Sequence, residues 1–324
     1  MANKFGLKVA AIVLASASVF TACSSSAPAT SGSAAGGGTK TLKIGVTFPI
    51  LDQFLQKVAD AITAEAKAKG VEVNIVAADE KTDTQLGQVE NFVSQKVDGI
   101  IVIPVDTDAA GPMTDAAKGA NIPLVYVNRK PADLPSGVPY VGSDSLYAGT
   151  VEMQELAKLA GGQGNVVILQ GDPANEAAVQ RTKGCNDVVA QNPGMKVIKT
   201  QAGNWYREKG QSIMENWLQS GDDIKVVCAN NDEMALGAIN AIKADNKKLG
   251  ADGILVGGVD ATADALAAMT AGDLAVTVFQ DAAGQGKGGV DAVVDLANGQ
   301  TVKDYVDIPY QLVTPDNMAD FASK

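Results

Sequence analysis

The sequence predicts an α/β protein built from parallel sheets flanked by helices. Three observations carry that expectation. Short runs rich in Val and Ile recur along the chain and close on Gly, Pro, Asn or Asp, as strands do. Amphipathic stretches separate them, and strands alternating with helices imply parallel sheets. The plan also repeats: Gly99-Ile-Ile-Val-Ile-Pro, a helix and Leu124-Val-Tyr-Val-Asn128 are echoed by Lys225-Val-Val-Cys-Ala-Asn-Asn231, a helix and Ile254-Leu-Val-Gly-Gly-Val-Asp260.

In chain order, the strand candidates are Leu42–Thr47, Glu72–Ala77, Gly99–Ile103, Leu124–Asn128 and Tyr140–Val141 in the first half. Asn165–Gln170, Lys196–Gln201, Val226–Ala229, Ile254–Val259 and Val276–Gln280 follow. The first helix is expected over Phe54–Lys69, where Phe54, Leu55, Val58, Ala61 and Ile62 share one face and Gln56, Lys57, Asp60 and Glu65 the other. Ser212–Leu218 and Met234–Lys243 follow the same spacing. The region from Thr41 onward is too long for one small core and suits two domains.

Residues 1–22 have the build of an export signal: Lys4 and Lys8, an apolar run from Val9 to Ala15, then small residues. The apolar run is too short to span a bilayer. Val19-Phe20-Thr21-Ala22-Cys23 resembles a bacterial lipobox, which implies lipidation of Cys23. Residues 23–40, rich in Ser, Gly and Ala, then read as a flexible tether. The protein is accordingly expected outside the cytoplasm, in the periplasm or on the outer face of the cell membrane, held there by its lipid.

Composition narrows the function. The chain carries 26 Lys+Arg against 37 Asp+Glu, a net −11, and removal of residues 1–22 leaves 24 basic side chains and a net −13. That balance argues against nucleic-acid binding, which needs a dense basic face. There is no histidine, which removes Ser-His-Asp and Cys-His nucleophile pairs and His-based zinc sites. Three cysteines are too few for a disulfide scaffold. Cys185 and Cys228 read as small buried hydrophobes, with a disulfide between them left open as the alternative in an oxidising compartment.

In open parallel sheets, ligands bind beyond the carboxyl ends of the strands. Asp52, Asn128, Arg129, Asn231, Asp260 and Gln280 all stand there. Amides, carboxylates and guanidinium groups facing one another suit a ligand with many hydroxyls, each of which both donates and accepts.

At these residues the chain resembles the bacterial periplasmic sugar-binding proteins of the ribose/galactose type, the solute-binding components of ABC importers. The matching stretches are Lys43-Ile-Gly-Val-Thr47, Ile103-Pro-Val-Asp-Thr-Asp-Ala-Ala110, Ile122-Pro-Leu-Val-Tyr-Val-Asn-Arg129, Tyr140-Val-Gly-Ser-Asp144, Ala229-Asn-Asn-Asp-Glu-Met-Ala-Leu-Gly237 and Gly258-Val-Asp-Ala261. The resemblance implies the type I periplasmic-binding-protein fold, two Rossmann-like lobes joined by a three-segment hinge. Residues 41–141 and 281–308 would form the N-terminal lobe, and 142–280 and 309–324 the C-terminal one. It implies ligand contacts at Asp52, Phe54, Asn128, Arg129, Arg181, Trp205, Asn231, Asp260 and Gln280, with Trp205 as an aromatic wall. The expected partners are a sugar or polyol, the ABC permease with its ATPase, and in some systems a chemoreceptor. No cofactor or metal is expected, and the protein is expected to act as a monomer. Ile103 departs from a polar family position, as do Asn175 and Ala177, and the calcium loop of one branch has no counterpart.

Each residue also has a plainer reading. Phe54 and Trp205 fit core positions too, and Trp217 lies on the apolar stripe with Ile213 and Leu218. Asn231 and Asp260 fit helix N-caps, and Arg129 and Arg181 fit surface ion pairs. Gly284-Gln-Gly-Lys-Gly-Gly289 matches a dinucleotide fingerprint in form alone. Asp106-Thr-Asp begins like a calcium loop but has Ala110 and Ala117 where ligands belong. An exported carbohydrate hydrolase using Asp carboxylates is the rival function. A sugar-responsive repressor would need a DNA-binding segment where the export signal stands.

Cys23→Ala is expected to move the protein from the membrane fraction to the soluble extracytoplasmic one. A wild-type protein that is already soluble after export would contradict the anchor.

Overall fold

Two parallel sheets organise residues 41–322, the part of the chain described by the computed structural model. The export segment, Cys23 and the tether lie outside the described residues. The first sheet contains β1 (Lys43–Phe48), β2 (Glu72–Ala77), β3 (Gly99–Val102), β4 (Leu124–Val127), β5 (Tyr140–Gly142) and, from far along the chain, β11 (Tyr305–Asp307), in the order β11-β5-β4-β3-β1-β2. The second contains β6 (Gln163–Gln170), β7 (Gly194–Ala202), β8 (Ile224–Ala229) and β9 (Leu255–Gly257), in the order β7-β6-β8-β9. Short β10 (Thr277–Phe279) pairs antiparallel with β12 (Gln311–Val313), and Val276 and Phe279 form parallel bridges with Gly257 and Asp260.

Every residue of β3 and β4 is buried. Helices cover both faces of such strands, which is why they read as unbroken apolar runs rather than alternating ones. Helix α1 (Gln53–Lys69) buries Leu55, Val58, Ala59, Ile62 and Ala66 at helical spacing and ends on Gly70 at φ 67°. Helix α9 (Ala282–Ala297) lies against it, and a Cβ at Gly286 would come within 2.7 Å of the Val58 carbonyl oxygen. A Cβ at Gly289 would come equally close to Val127. The glycine run that mimics a dinucleotide fingerprint is therefore a helix-packing surface.

The chain passes from the first sheet to the second after β5, returns after β10, and crosses again after β11. Strands β11 and β12 escape a sequence reading because each has three residues and only partial burial. Strand β9 is shorter than expected; beyond it the Val259 carbonyl accepts from the Asp232 amide and Asp260 bridges to Phe279. Trp217 is buried in the core of the second sheet. Cys185, on helix α5 (Glu176–Ala190), and Cys228, on β8, are buried as expected, but they are joined in a disulfide rather than standing as separate small hydrophobes.

Asp232 opens helix α7 (Asp232–Ala244) and is fully buried. One carboxylate oxygen accepts from the Thr277 hydroxyl at 2.7 Å and the other from the Thr262 amide at 2.7 Å, which ties three segments of the second sheet together. Burial outweighs those bonds and pushes its pKa from 3.8 up to about 7. The native chain therefore holds a proton that the unfolded chain has released, and stability falls as pH rises between about 4 and 7. Asp232→Asn is expected to flatten the loss of urea stability across that interval. An unchanged slope would mean that Asp232 does not titrate there.

Candidate functional site

The structure places Asp52, Phe54, Asn128, Arg129, Arg181, Trp205, Asn231, Asp260 and Gln280 around one cavity, whose wall Leu55 and Ala177 complete. Its empty space, mouth included, is about 410 Å³. Most of these side chains sit just past the carboxyl ends of strands: Asp52 after β1, Asn128 and Arg129 after β4, Trp205 after β7, Asn231 after β8, Asp260 after β9 and Gln280 after β10. Both sheets contribute.

Two of the plainer readings hold alongside that placement. Asp52 caps α1, accepting from the Leu55 amide at 2.7 Å. Asn231 caps α7, accepting from the Met234 amide, and its Nδ2 donates to the Trp205 carbonyl. Asp260 caps nothing; Thr262 does that work for helix α8 (Ala263–Thr270). Neither arginine is a surface ion-pair partner, since both are buried.

Arg181 is the most constrained of the set. Its Nη1 donates to the Asn230 carbonyl at 2.6 Å, and its Nη2 donates to Gln280 Oε1 at 2.9 Å and to the Tyr310 hydroxyl at 2.6 Å. The guanidinium lies over the rings of Trp205 and Tyr310, at 5.7 and 5.6 Å from their centroids. Helix α5 reaches this position by close contact with helix α4 (Ser145–Leu159). A Cβ at Gly149 would fall 2.1 Å from the Arg181 carbonyl oxygen, so only glycine fits there. The Arg181 Nε is buried without a hydrogen-bond partner among the described residues. Arg129 Nη1 donates to the Pro104 and Val105 carbonyls, and Asn128 Nδ2 donates to Gln285.

Burial dominates the electrostatics. It raises the pKa of Asp52 despite the Leu55 amide and the nearby Arg129 charge, and it raises that of Asp260 well above the usual value despite Arg181. It lowers that of Arg129 against the pull of Asp52. For Arg181 burial acts the same way, but the combined pull of Tyr310, Asp260 and Glu176 raises its pKa.

Three of the residues have strained backbones: φ is 66° at Asn128, 72° at Trp205 and 123° at Asp260. Such values cost energy in residues other than glycine and persist where the surroundings impose them. A Cβ at Gly171 would strike the Trp205 ring at 2.2 Å, so that glycine makes room for the wall.

Sequence reading missed several supporting groups. Gln85 is fully buried and accepts from the Val105 amide while donating to the Ile103 carbonyl. Tyr310 and Asn230 anchor Arg181. Asn175 lies outside the cavity wall and accepts from Trp205 Nε1 at 3.1 Å. An amphipathic pattern signals none of these. Asp106 closes its own turn, accepting from the amides of Asp108 and Ala109. Among the described residues, one group brings three potential metal-ligand atoms together, Glu152 with Cys185 and Cys228, and the disulfide occupies both sulfurs.

Comparison with known proteins follows the same lines. Residues 44–301 match the family described as the periplasmic binding protein domain. A putative rhizopine-binding protein of Rhizobium meliloti is 46% identical over 260 residues, covering 79% of this chain and 84% of that protein. The ribose import binding protein of Bacillus subtilis is 32% identical over 311 residues, covering 95% and 99%. Among solved structures, an ABC transporter solute binding protein from Bacillus halodurans C-125 with bound myo-inositol superposes with a TM-score of 0.85 at 41% identity, covering 89% of this chain and 99% of that one. With the family matched over most of its length, this chain belongs to the periplasmic binding proteins, binding components of transporters rather than enzymes.

Proposed function

We propose that this protein is the extracytoplasmic solute-binding component of an ABC importer, and that it takes an uncharged monosaccharide or cyclic polyol in the cavity between its sheets. The observation that carries the reading is the donor and acceptor set around that cavity: two carboxyls, two guanidinium groups and three amides, with one indole ring. Charged groups bond hydroxyls more strongly than neutral ones do. Hydroxyls that donate to the Asp52 and Asp260 carboxyls favour their ionised forms, which then balance the two guanidinium groups, so acids and amines gain less than neutral polyols. The Arg181 Nε–H offers a free donor to a ligand oxygen. The Trp205 ring suits the C–H face of a sugar ring.

Relatives support this ligand class, since those with solved structures were found with myo-inositol and D-allose, among others. A cyclic polyol is favoured by the similarity to the myo-inositol-bound protein from Bacillus halodurans. The carbohydrate hydrolase alternative is set aside, because the family consists of binding proteins.

In this reading the two sheets and their helices form lobes, residues 41–141 with 281–308 and residues 142–280 with 309–324. The three crossings near Val141–Gly142, Gln280–Asp281 and Ile308–Pro309 form the hinge. Ligand enters the open cleft, and closure removes water from the charged groups, which strengthens every polar contact. The closed form docks on a membrane permease, whose ATPase drives transport. Lipidation at Cys23 holds the protein at the membrane, and the tether lets the body reach the permease as a monomer.

The test is a thermal-shift screen of residues 41–324 against pentoses, hexoses and inositols, followed by calorimetric titration with the best ligand. A bound ligand stabilises the native state by about 2.7 kcal/mol at a hundredfold excess over Kd. Asp260→Ala and Arg181→Ala each remove a buried polar group from the cavity wall and are expected to weaken binding at least a hundredfold, roughly 2.7 kcal/mol. Trp205→Ala is expected to weaken it about tenfold or more and to remove most of the ligand-induced fluorescence change, leaving Trp217 silent. Folded variants that bind within threefold of wild type would place the ligand elsewhere.

A further inference from the structure

Asn175 stands at the N-cap position of α5, where an Asn side chain ordinarily accepts from the first turn of its own helix, yet it makes no such bond. Its amide turns outward instead. The Nδ2 donates to the Val105 carbonyl at 2.9 Å, and the Oδ1 accepts from Trp205 Nε1 at 3.1 Å. Val105 belongs to the loop after β3 in the first sheet, and α5 belongs to the second.

The capping duty that Asn175 gives up is taken over from across the cleft. Thr107, also in the loop after β3, accepts from the Glu176 amide at 3.2 Å through its hydroxyl and donates that hydroxyl to the Ala174 carbonyl at 3.0 Å. The Thr107 backbone amide donates to the same carbonyl at 3.0 Å. Both Asn175 and Thr107 are buried, and neither lines the cavity. Val105 is a firm partner, since its amide is held by the buried Gln85 and its carbonyl also receives Arg129 Nη1.

We infer that Thr107 and Asn175 form a closure latch: a ligand-independent set of hydrogen bonds between the two halves of the cleft that exists only when it is shut and so sets how long any bound solute is retained. The inference rests on the proposed opening and closing of this cavity around a solute. When the halves part, water can replace each of these bonds. The latch therefore biases the closed state modestly rather than locking it, as a carrier that must release its cargo requires. It differs from the cavity residues in its signature. A contact to ligand discriminates between ligands, whereas a latch retains all of them by the same factor.

The experiment measures association and dissociation rates of myo-inositol and of ribose by stopped-flow fluorescence, in wild type, Thr107→Val and Asn175→Asp. Thr107→Val removes the hydroxyl alone. Asn175→Asp removes the donor to Val105 but keeps an acceptor for Trp205. Each variant is expected to release a bound solute about tenfold faster, with association changed less than threefold and the same factor for every solute that binds. Urea unfolding of the ligand-free variants establishes that they fold. Unchanged dissociation, or a factor that differs between the two solutes, would overturn the latch while leaving the cavity reading intact. A wild-type protein that binds neither solute at millimolar concentration would overturn the polyol reading and the latch with it.

Discussion

Arg181 reaches the cavity from α5 with its charge buried, and its three acceptors, the Asn230 carbonyl, Gln280 Oε1 and the Tyr310 hydroxyl, come from three different segments of chain. A buried guanidinium left unpaired is strongly destabilising, so those segments have little freedom to move relative to α5. The second half of the cleft is arranged around that demand. Gly149 lets α4 and α5 approach closely enough to bring the arginine in. One turn further along α5, the disulfide from Cys185 to Cys228 ties the helix to β8, two residues ahead of Asn230. The same guanidinium lies over Trp205, so the aromatic wall shares its support.

The first half of the cleft is simpler. Asp52 and Arg129 oppose each other's desolvation, and the Val105 carbonyl, steadied by Gln85, anchors Arg129. Across both halves, burial moves the carboxyls of Asp52 and Asp260 toward their neutral forms. Ligand hydroxyls that donate to those carboxyls favour ionisation, so solute binding and charge separation reinforce each other. Asn128, Trp205 and Asp260 all hold positive φ, which shows how far local backbone preference yields to the geometry of the cavity.

Much of this was legible in the sequence because the governing signals are local. Strand runs and helical stripes are short-range patterns, and polar residues just past strand ends mark where a parallel sheet binds ligand. Glu72–Ala77 matches its expected bounds, and the six polar residues read from strand ends share one cavity with Phe54, Arg181 and Trp205, which the family resemblance supplied. What escaped depends on long-range contact. Strands β11 and β12 exist only because distant partners receive them. The disulfide joins residues 43 positions apart. Asn175 read in sequence only as a departure from a family sugar contact, and nothing in its neighbours announces that Thr107 would cap the helix in its place. Gln85 is a buried amide on an otherwise ordinary amphipathic helix (Thr82–Ser94).

The most direct test of this account is calorimetric titration of Arg181→Lys with the solute that binds wild type best. Lysine keeps the positive charge but lacks the planar fork that reaches three acceptors at once. If the fixed guanidinium organises the cleft, the folded variant should lose at least a hundredfold in affinity, roughly 2.7 kcal/mol. Binding within threefold of wild type would show that a positive charge at this position is enough and that the network around Arg181 does not hold the site together.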